Sequence, residues 1–212
     1  MKFSLKSGLR PLSPETSVTY DAGVYRKLTK TLDVRFSGNY IDTSNYWVAD
    51  TSSVYYTVSS YTYTLKSLKF YGFEGEFNWT PTDKLVLFGN YSFLGRRYTA
   101  DPTLPYAELL NLSPKNKGNL SARYSLPLKT RVSFDLRAFG ERRSEGEHNV
   151  MGRYAVGDIS FEKILPNGMT AGVFVNNLFG MDYQQVFGYP APGRTFGISL
   201  KVNPTKNPLA KK

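Results

Sequence analysis

The feature that most constrains this chain is a one-for-one alternation of apolar and polar residues that returns in about nine separate stretches, the periodicity of strands with one apolar and one wet face. In the clearest stretch Val132, Phe134, Leu136 and Ala138 alternate with Ser133, Asp135 and Arg137. Others set Val18, Tyr20, Ala22 and Val24 against Thr19, Asp21, Gly23 and Tyr25, or Met169, Ala171, Val173 and Val175 against Thr170, Gly172, Phe174 and Asn176. The last follows a Pro/Gly-rich turn and places Phe196, Ile198, Leu200 and Val202 on one side. No run approaches the ~18 consecutive apolar residues of a membrane helix, but a membrane strand needs an apolar residue only at every second position. No helix is required anywhere in the chain.

One strand read alone fits a half-buried strand of a soluble sandwich at least as well as a membrane strand. Repetition changes the balance. In the stretch where Tyr71, Phe73, Gly75, Phe77 and Trp79 face one way, Gly72, Glu74, Glu76 and Asn78 face the other. Two carboxylates on one face cannot sit in lipid or in a dry core, so that face is wet. Aromatics make up 15% of the residues, and Trp47, Trp79, Tyr98, Tyr124 and Tyr183 fall near strand ends, as interfacial girdles require.

The connections alternate as well. They are short at 27–31, 80–83, 127–130 and 166–168, where TPTD has the proline placement of a type I turn. They are long near 44–60, 95–116, 141–152 and 180–193, with two strand extensions inside the first of these joined near 50–53. Short turns at one end and long loops at the other are the signature of outer-membrane barrels, whereas a soluble up-and-down barrel has no reason for the asymmetry. The expected fold is all-β, an antiparallel up-and-down transmembrane β-barrel segment of about nine strands. Residues 1–16 read as a lead-in loop, 17–203 as a partial barrel and 204–212 as a basic tail. Bacterial single-chain barrels have an even strand number. An odd count starting on the long-loop side suggests a piece of a larger barrel.

The formal net charge of +10 favours anionic partners. Arg96, Arg97 and Tyr98, with Arg142 and Arg143, fall in or beside the expected outer loops, as do Lys115 and Lys117. Guanidinium forks there suit carboxylate or phosphate groups, either of an anionic metal chelate or of outer-membrane lipid. Nucleic acid is set aside, because the basic residues scatter over both ends and both faces instead of gathering among stacking aromatics. The chain has no Cys, hence no disulfide and no thiolate metal site, and no spacing suggests another metal or cofactor. A hydrolase reading would rest on His148 with Ser144, Glu145 and Glu147, but loop neighbours do not orient a nucleophile and a base, so no enzyme is expected. The N-terminal stretch lacks the apolar core of a secretory signal peptide.

Four ordered motifs then point to a family. They are LSPETSVTYDAGV from Leu12 to Val24, FYGFEGEFNWTPTDKLVLFGNYSFL from Phe70 to Leu94, FVNNLFGMDY from Phe174 to Tyr183, and PGRTFGISL from Pro192 to Leu200. With these the chain resembles the C-terminal part of a TonB-dependent receptor, from about Leu12 to Val202. The resemblance implies an integral protein of the bacterial outer membrane, part of a plugged barrel of roughly 22 strands, without the plug domain. It also implies energised uptake of a chelated nutrient such as a ferric siderophore or cobalamin, with the TonB complex as partner where a plug is supplied elsewhere. Family members usually end on an aromatic residue; here Pro204 and the tail TKNPLAKK occupy that region. The different-class alternatives are a stand-alone small barrel with a structural or adhesive role and, more remotely, an outer-membrane hydrolase.

Overall fold

The computed structural model describes residues 14–49, 62–99, 113–143, 150–166 and 169–202. Nine strands form one antiparallel sheet: β1 (Thr16–Lys27), β2 (Leu32–Ala49), β3 (Thr62–Thr82), β4 (Leu85–Thr99), β5 (Asn116–Leu126), β6 (Thr130–Phe139), β9 (Tyr154–Ile164), β10 (Thr170–Asn176) and β13 (Thr195–Lys201). Each pairs with the one before and after it in the chain, giving a meander whose outer edges, β1 and β13, do not pair with each other. Two small hairpins, β7 (Arg142–Arg143) with β8 (Val150–Met151) and β11 (Gln184–Val186) with β12 (Tyr189–Pro190), sit in the two last long connections.

The register fixes the faces. Leu87, Ala122, Phe134, Ile159, Val175 and Phe196 follow one another directly across six strands, an unbroken apolar row. The opposite face carries Arg35, Glu76, Asn90, Asn119 and Arg137 in a row across five. Polar partners on that face hold one another: Asn119 donates to Asn90 at 2.7 Å, Arg35 lies 3.7 Å from Glu76, and Lys201 reaches Glu162 at 2.8 Å. Such partly exposed pairs are worth ~0–1 kcal/mol each, so they shape a wet wall more than they stabilise it.

Among the described residues no second layer covers the apolar face. Among the described residues only Leu68, Tyr154 and Val156 are buried hydrophobics, while Phe196 is 74% and Ile198 86% exposed. A soluble sandwich would have its core here. A single sheet with one greasy side is instead stable where lipid supplies the second layer. On β3 the lipid face runs from Tyr71 to Trp79, nine positions, close to the ~9–11 residues that a tilted strand uses to cross a bilayer.

Three departures from the sequence reading have physical causes. Strand β2 runs to Ala49, as the expected extension before 50–53 requires, but β4 runs on to Thr99, into the loop expected from 95, because backbone pairing such as Ser67 with Thr99 needs no apolar side chains. Trp79 and Tyr124 do lie on the lipid face near the short turns, but Tyr183 packs at a tilt against Tyr154, ring centres 4.6 Å apart, in the loop region and belongs to no girdle. The outer girdle is made by Tyr20, Tyr40, Tyr71 and Tyr91 with Phe73 and Phe93, whose rings meet across strands at 5.5 to 6.4 Å. The side chains of Trp47 and Tyr98, the joint at 50–53 and the tail 204–212 lie outside the described residues.

Glycines opposite aromatic rings recur in the ladder. Gly89 pairs with Phe77, Gly95 with Tyr71 and Gly197 with Phe174, and in each case the ring lies over the space that a Cβ would fill. The ring covers the bare backbone of its neighbour and fixes the cross-strand register. Gly89→Val must therefore push Phe77 aside and is expected to cost ~1–3 kcal/mol. A lowered urea midpoint for the protein in lipid vesicles checks this, with Gly152→Val, where nothing lies within 4 Å, as the neutral control.

Candidate functional site at the outer rim

Every long connection leaves the same end of the sheet, so the site to consider is the rim formed by the ends of β4, β6, β9 and β10 and the segments that join them. Two polar side chains organise it. The first is Asn177, directly after β10, with φ +50, a left-handed conformation that Asn tolerates better than most residues. Its side chain is 3% exposed. Asn177 Nδ2 donates to the Met181 carbonyl at 2.8 Å and to the Pro192 carbonyl at 3.4 Å, while Oδ1 accepts from the Met181 N–H at 2.8 Å. Its own backbone N–H donates to Asp158 Oδ1 at 2.8 Å, and Asp158 Oδ2 accepts from Arg137 at 2.6 Å. One carboxylate on β9 thus ties the wall, through Arg137 on β6, to the start of the last loop.

The second is Arg142, in the connection after β6. It is 9% exposed, and its Nη2 donates to the Gln184 and Gln185 carbonyls at 3.0 and 2.7 Å. Its guanidinium carbon lies 5.6 Å from the centre of the Tyr154 ring, which stacks in turn on Phe139 and meets Tyr183 at a tilt. Hydrogen bonds from a charged donor to carbonyls, with an aromatic floor beneath, make a buried clamp between the two hairpin-bearing loops.

The five residues singled out from the sequence are thereby separated. Arg96 is on the wet face of β4, opposite Phe70, and donates to the Ser113 carbonyl at 2.9 Å. Arg97 is exposed on the other side, in the row with Lys69, two positions beyond Gly95 and four beyond Phe93 on the lipid face. Tyr98 lies opposite Leu68 in the ladder and Arg143 opposite Val150; their side chains are outside the described residues, as are Ser144, Glu145, Glu147 and His148. Arg142 is held 42 and 43 residues away in sequence from its acceptors, inside the rim instead of at its surface. Among the described residues no group of three or more His, Cys, Asp or Glu gathers for a metal ion.

Sequence reasoning misses Asn177 and Asp158 as organising residues. The Asn-Asn-Leu-Phe-Gly run does carry a signal, since Asn and Gly are the residues that accept φ above zero, here at Asn177 and Gly180.

A meander with a lipid face, a charged wet face and loops confined to one end is the wall of an outer-membrane-type β-barrel. The chain belongs to the TonB-dependent receptor family: the model described as TonB dependent receptor-like, beta-barrel, matches residues 3–197. It is 26% identical over 206 residues to the metal-pseudopaline receptor CntO of Pseudomonas aeruginosa, a match that covers 92% of this chain and 28% of that protein. Among solved structures it is similar to the ferric-catecholate import receptor Fiu from E. coli K12, with a TM-score of 0.72 at 19% identity over 94% of this chain and 29% of the other. It is likewise similar to the ferripyoverdine receptor of the outer membrane of P. aeruginosa, with a TM-score of 0.69 at 18% identity over 90% and 27%. The chain thus spans less than a third of each of these relatives. The family consists of outer-membrane transport receptors.

Removing each organiser has a distinct expected effect. Asn177→Ala leaves a left-handed backbone without its side-chain bonds to Met181 and Pro192, with an expected loss of ~2–3 kcal/mol in unfolding free energy, read as a lowered urea midpoint. Arg142→Ala unties the two loops from each other and uncovers the ring of Tyr154 at the top of β9; limited proteolysis is expected to cut near 184–190 faster, with the unfolding midpoint lowered less than by Asn177→Ala.

Proposed function

We propose that this chain is the C-terminal wall and outer-loop set of a receptor that imports an anionic metal chelate through the outer membrane. The observation that carries the reading is the rim itself. A lipid-facing wall holds a wet inner face, and above it buried hydrogen bonds fix two loops to each other and to the wall. Loops that must order around a ligand lose less entropy on binding when they are already tied down.

The names of similar proteins support a metal-chelate cargo: metal-pseudopaline, ferric-catecholate and ferripyoverdine receptors. The basic balance of the chain supports an anionic one. A ferric siderophore fits both, and cobalamin fits the charge argument less well. A plug domain, in the same or another polypeptide, supplies the gate and the contact with the TonB complex. Arg96 on the wet face of β4 supplies the basic side of the capture surface, and Tyr98 and Arg143, singled out from the sequence, are its further candidates. Arg142 acts by holding the loops.

The full receptor, produced in cells that lack their own chelate receptors, is expected to take up a radiolabelled ferric siderophore and to stop when the proton-motive force is collapsed. Arg96→Ala is expected to weaken chelate binding about tenfold, the loss of one charge-assisted hydrogen bond. Arg97→Ala, on the opposite face, is expected to leave uptake unchanged. Uptake that ignores the proton-motive force, or no uptake across a panel of chelates that includes cobalamin, refutes the reading.

A further inference from the structure

Three neighbouring strands each place a charged residue at one height on the lipid-facing side. In the ladder Asp42 on β2 pairs with Lys69 on β3, and Lys69 pairs with Arg97 on β4. The next row toward the short turns is Tyr40, Tyr71 and Gly95, part of the outer aromatic girdle. The charged row therefore stands two residues, ~6.6 Å along the strand, beyond the girdle. That is where hydrocarbon gives way to headgroups. A Lys or Arg facing lipid costs ~2–4 kcal/mol at the midplane but ~0–1 kcal/mol near the interface, so these positions tolerate charge.

The charges do not cancel. Lys69 Nζ is 3.1 Å from Asp42 Oδ2, which holds its ammonium in place. Arg97 is exposed and, among the described residues, has no ion pair or hydrogen bond. Between the two cations is an open depression of about 490 Å³, lined by Tyr40, Ser67, Lys69, Tyr71 and Arg97. It presents two cationic donors, hydroxyl groups and aromatic rings at headgroup height. A cargo in the lumen cannot reach it, because Arg97 points away from the face that carries Arg96.

We infer that Lys69 and Arg97 form a binding site on the outer wall for the phosphate of a sugar-phosphate lipid headgroup in the outer leaflet. Arg97 supplies a planar fork for phosphate oxygens, and Lys69, fixed by Asp42, supplies a second charge. Tyr40, Tyr71 and Ser67 offer ring faces and hydroxyls to the sugar. Such a lipid would be held against the part of the wall that carries the long β2–β3 connection.

The test uses the full receptor purified in detergent. Native mass spectrometry reads the lipid retained after titration with lipid A, with enzymatically dephosphorylated lipid A, or with lipid A in the presence of inorganic phosphate. Wild type is expected to retain lipid A, and to bind the dephosphorylated form at least tenfold more weakly. Arg97→Gln and the double variant Lys69→Gln/Arg97→Gln are expected to lose tenfold or more in lipid A affinity, and Arg97→Lys to recover most of it. Arg97→Gln removes an exposed side chain that makes no hydrogen bond or ion pair among the described residues, so it keeps the test valid even where the double variant fails to fold. Equal retention by Arg97→Gln and wild type, or equal binding of the dephosphorylated lipid, overturns the site. Displacement of lipid A by an equal concentration of inorganic phosphate would assign the depression to a free anion and also overturn it. None of these readouts involves uptake, so the lipid site and the import reading stand or fall separately.

Discussion

The structure depends on one constraint: in lipid there is no water to satisfy a backbone N–H or C=O, so each strand must find its partners in its neighbours. The unbroken ladder from β1 to β13 is the consequence. Once the ladder is continuous, parity is shared across all nine strands, and a side chain's medium is decided by its register alone. Phe134 and Asp135 are adjacent in sequence and face lipid and lumen because Ile159 and Asp158 opposite them do the same. A shift of one residue in any strand would exchange both faces at once. The glycine seats beneath Phe77, Tyr71 and Phe174 oppose such slippage, since each ring fits over one neighbour only.

This is also why the wall was legible from the sequence and the rim was not. Period-two alternation is local, so the strands around Val132 or Phe196 announce themselves within a few residues. Past the membrane the apolar face is no longer needed: the extension of β2 could still be read from its Ser, Thr and Tyr residues without Pro or Gly, but β4 continues to Thr99 on backbone pairing where the sequence reads as a loop. Arg96 and Arg97 are the instructive case. Treated as loop residues they look like one basic patch; placed in a strand they must face opposite media. The clamp of Arg142 on the Gln184 and Gln185 carbonyls is invisible for another reason, because both its acceptors are backbone groups of a segment far along the chain.

The rim is rigid where its polar groups are buried and satisfied. Asn177 uses both ends of its amide, and Arg142 pairs with carbonyls that would otherwise end a small hairpin without partners. Leaving either group unpaired would cost more than a surface ion pair returns. Stability at the loops thus comes from a few desolvated hydrogen bonds, while the many charge pairs of the inner wall, such as Arg35 with Glu76, mainly set its polarity.

Wall and rim meet at Asp158. Its position is fixed by pairing with Asp135 in the ladder, and its two oxygens serve Arg137 on the wall and the backbone of Asn177 at the rim. The loop that begins at Asn177 is therefore aimed by the register of β6, β9 and β10. That register answers in turn to the demand for backbone partners in lipid. Parity therefore places Arg96 and Arg97, neighbours in sequence, on opposite faces of the same wall.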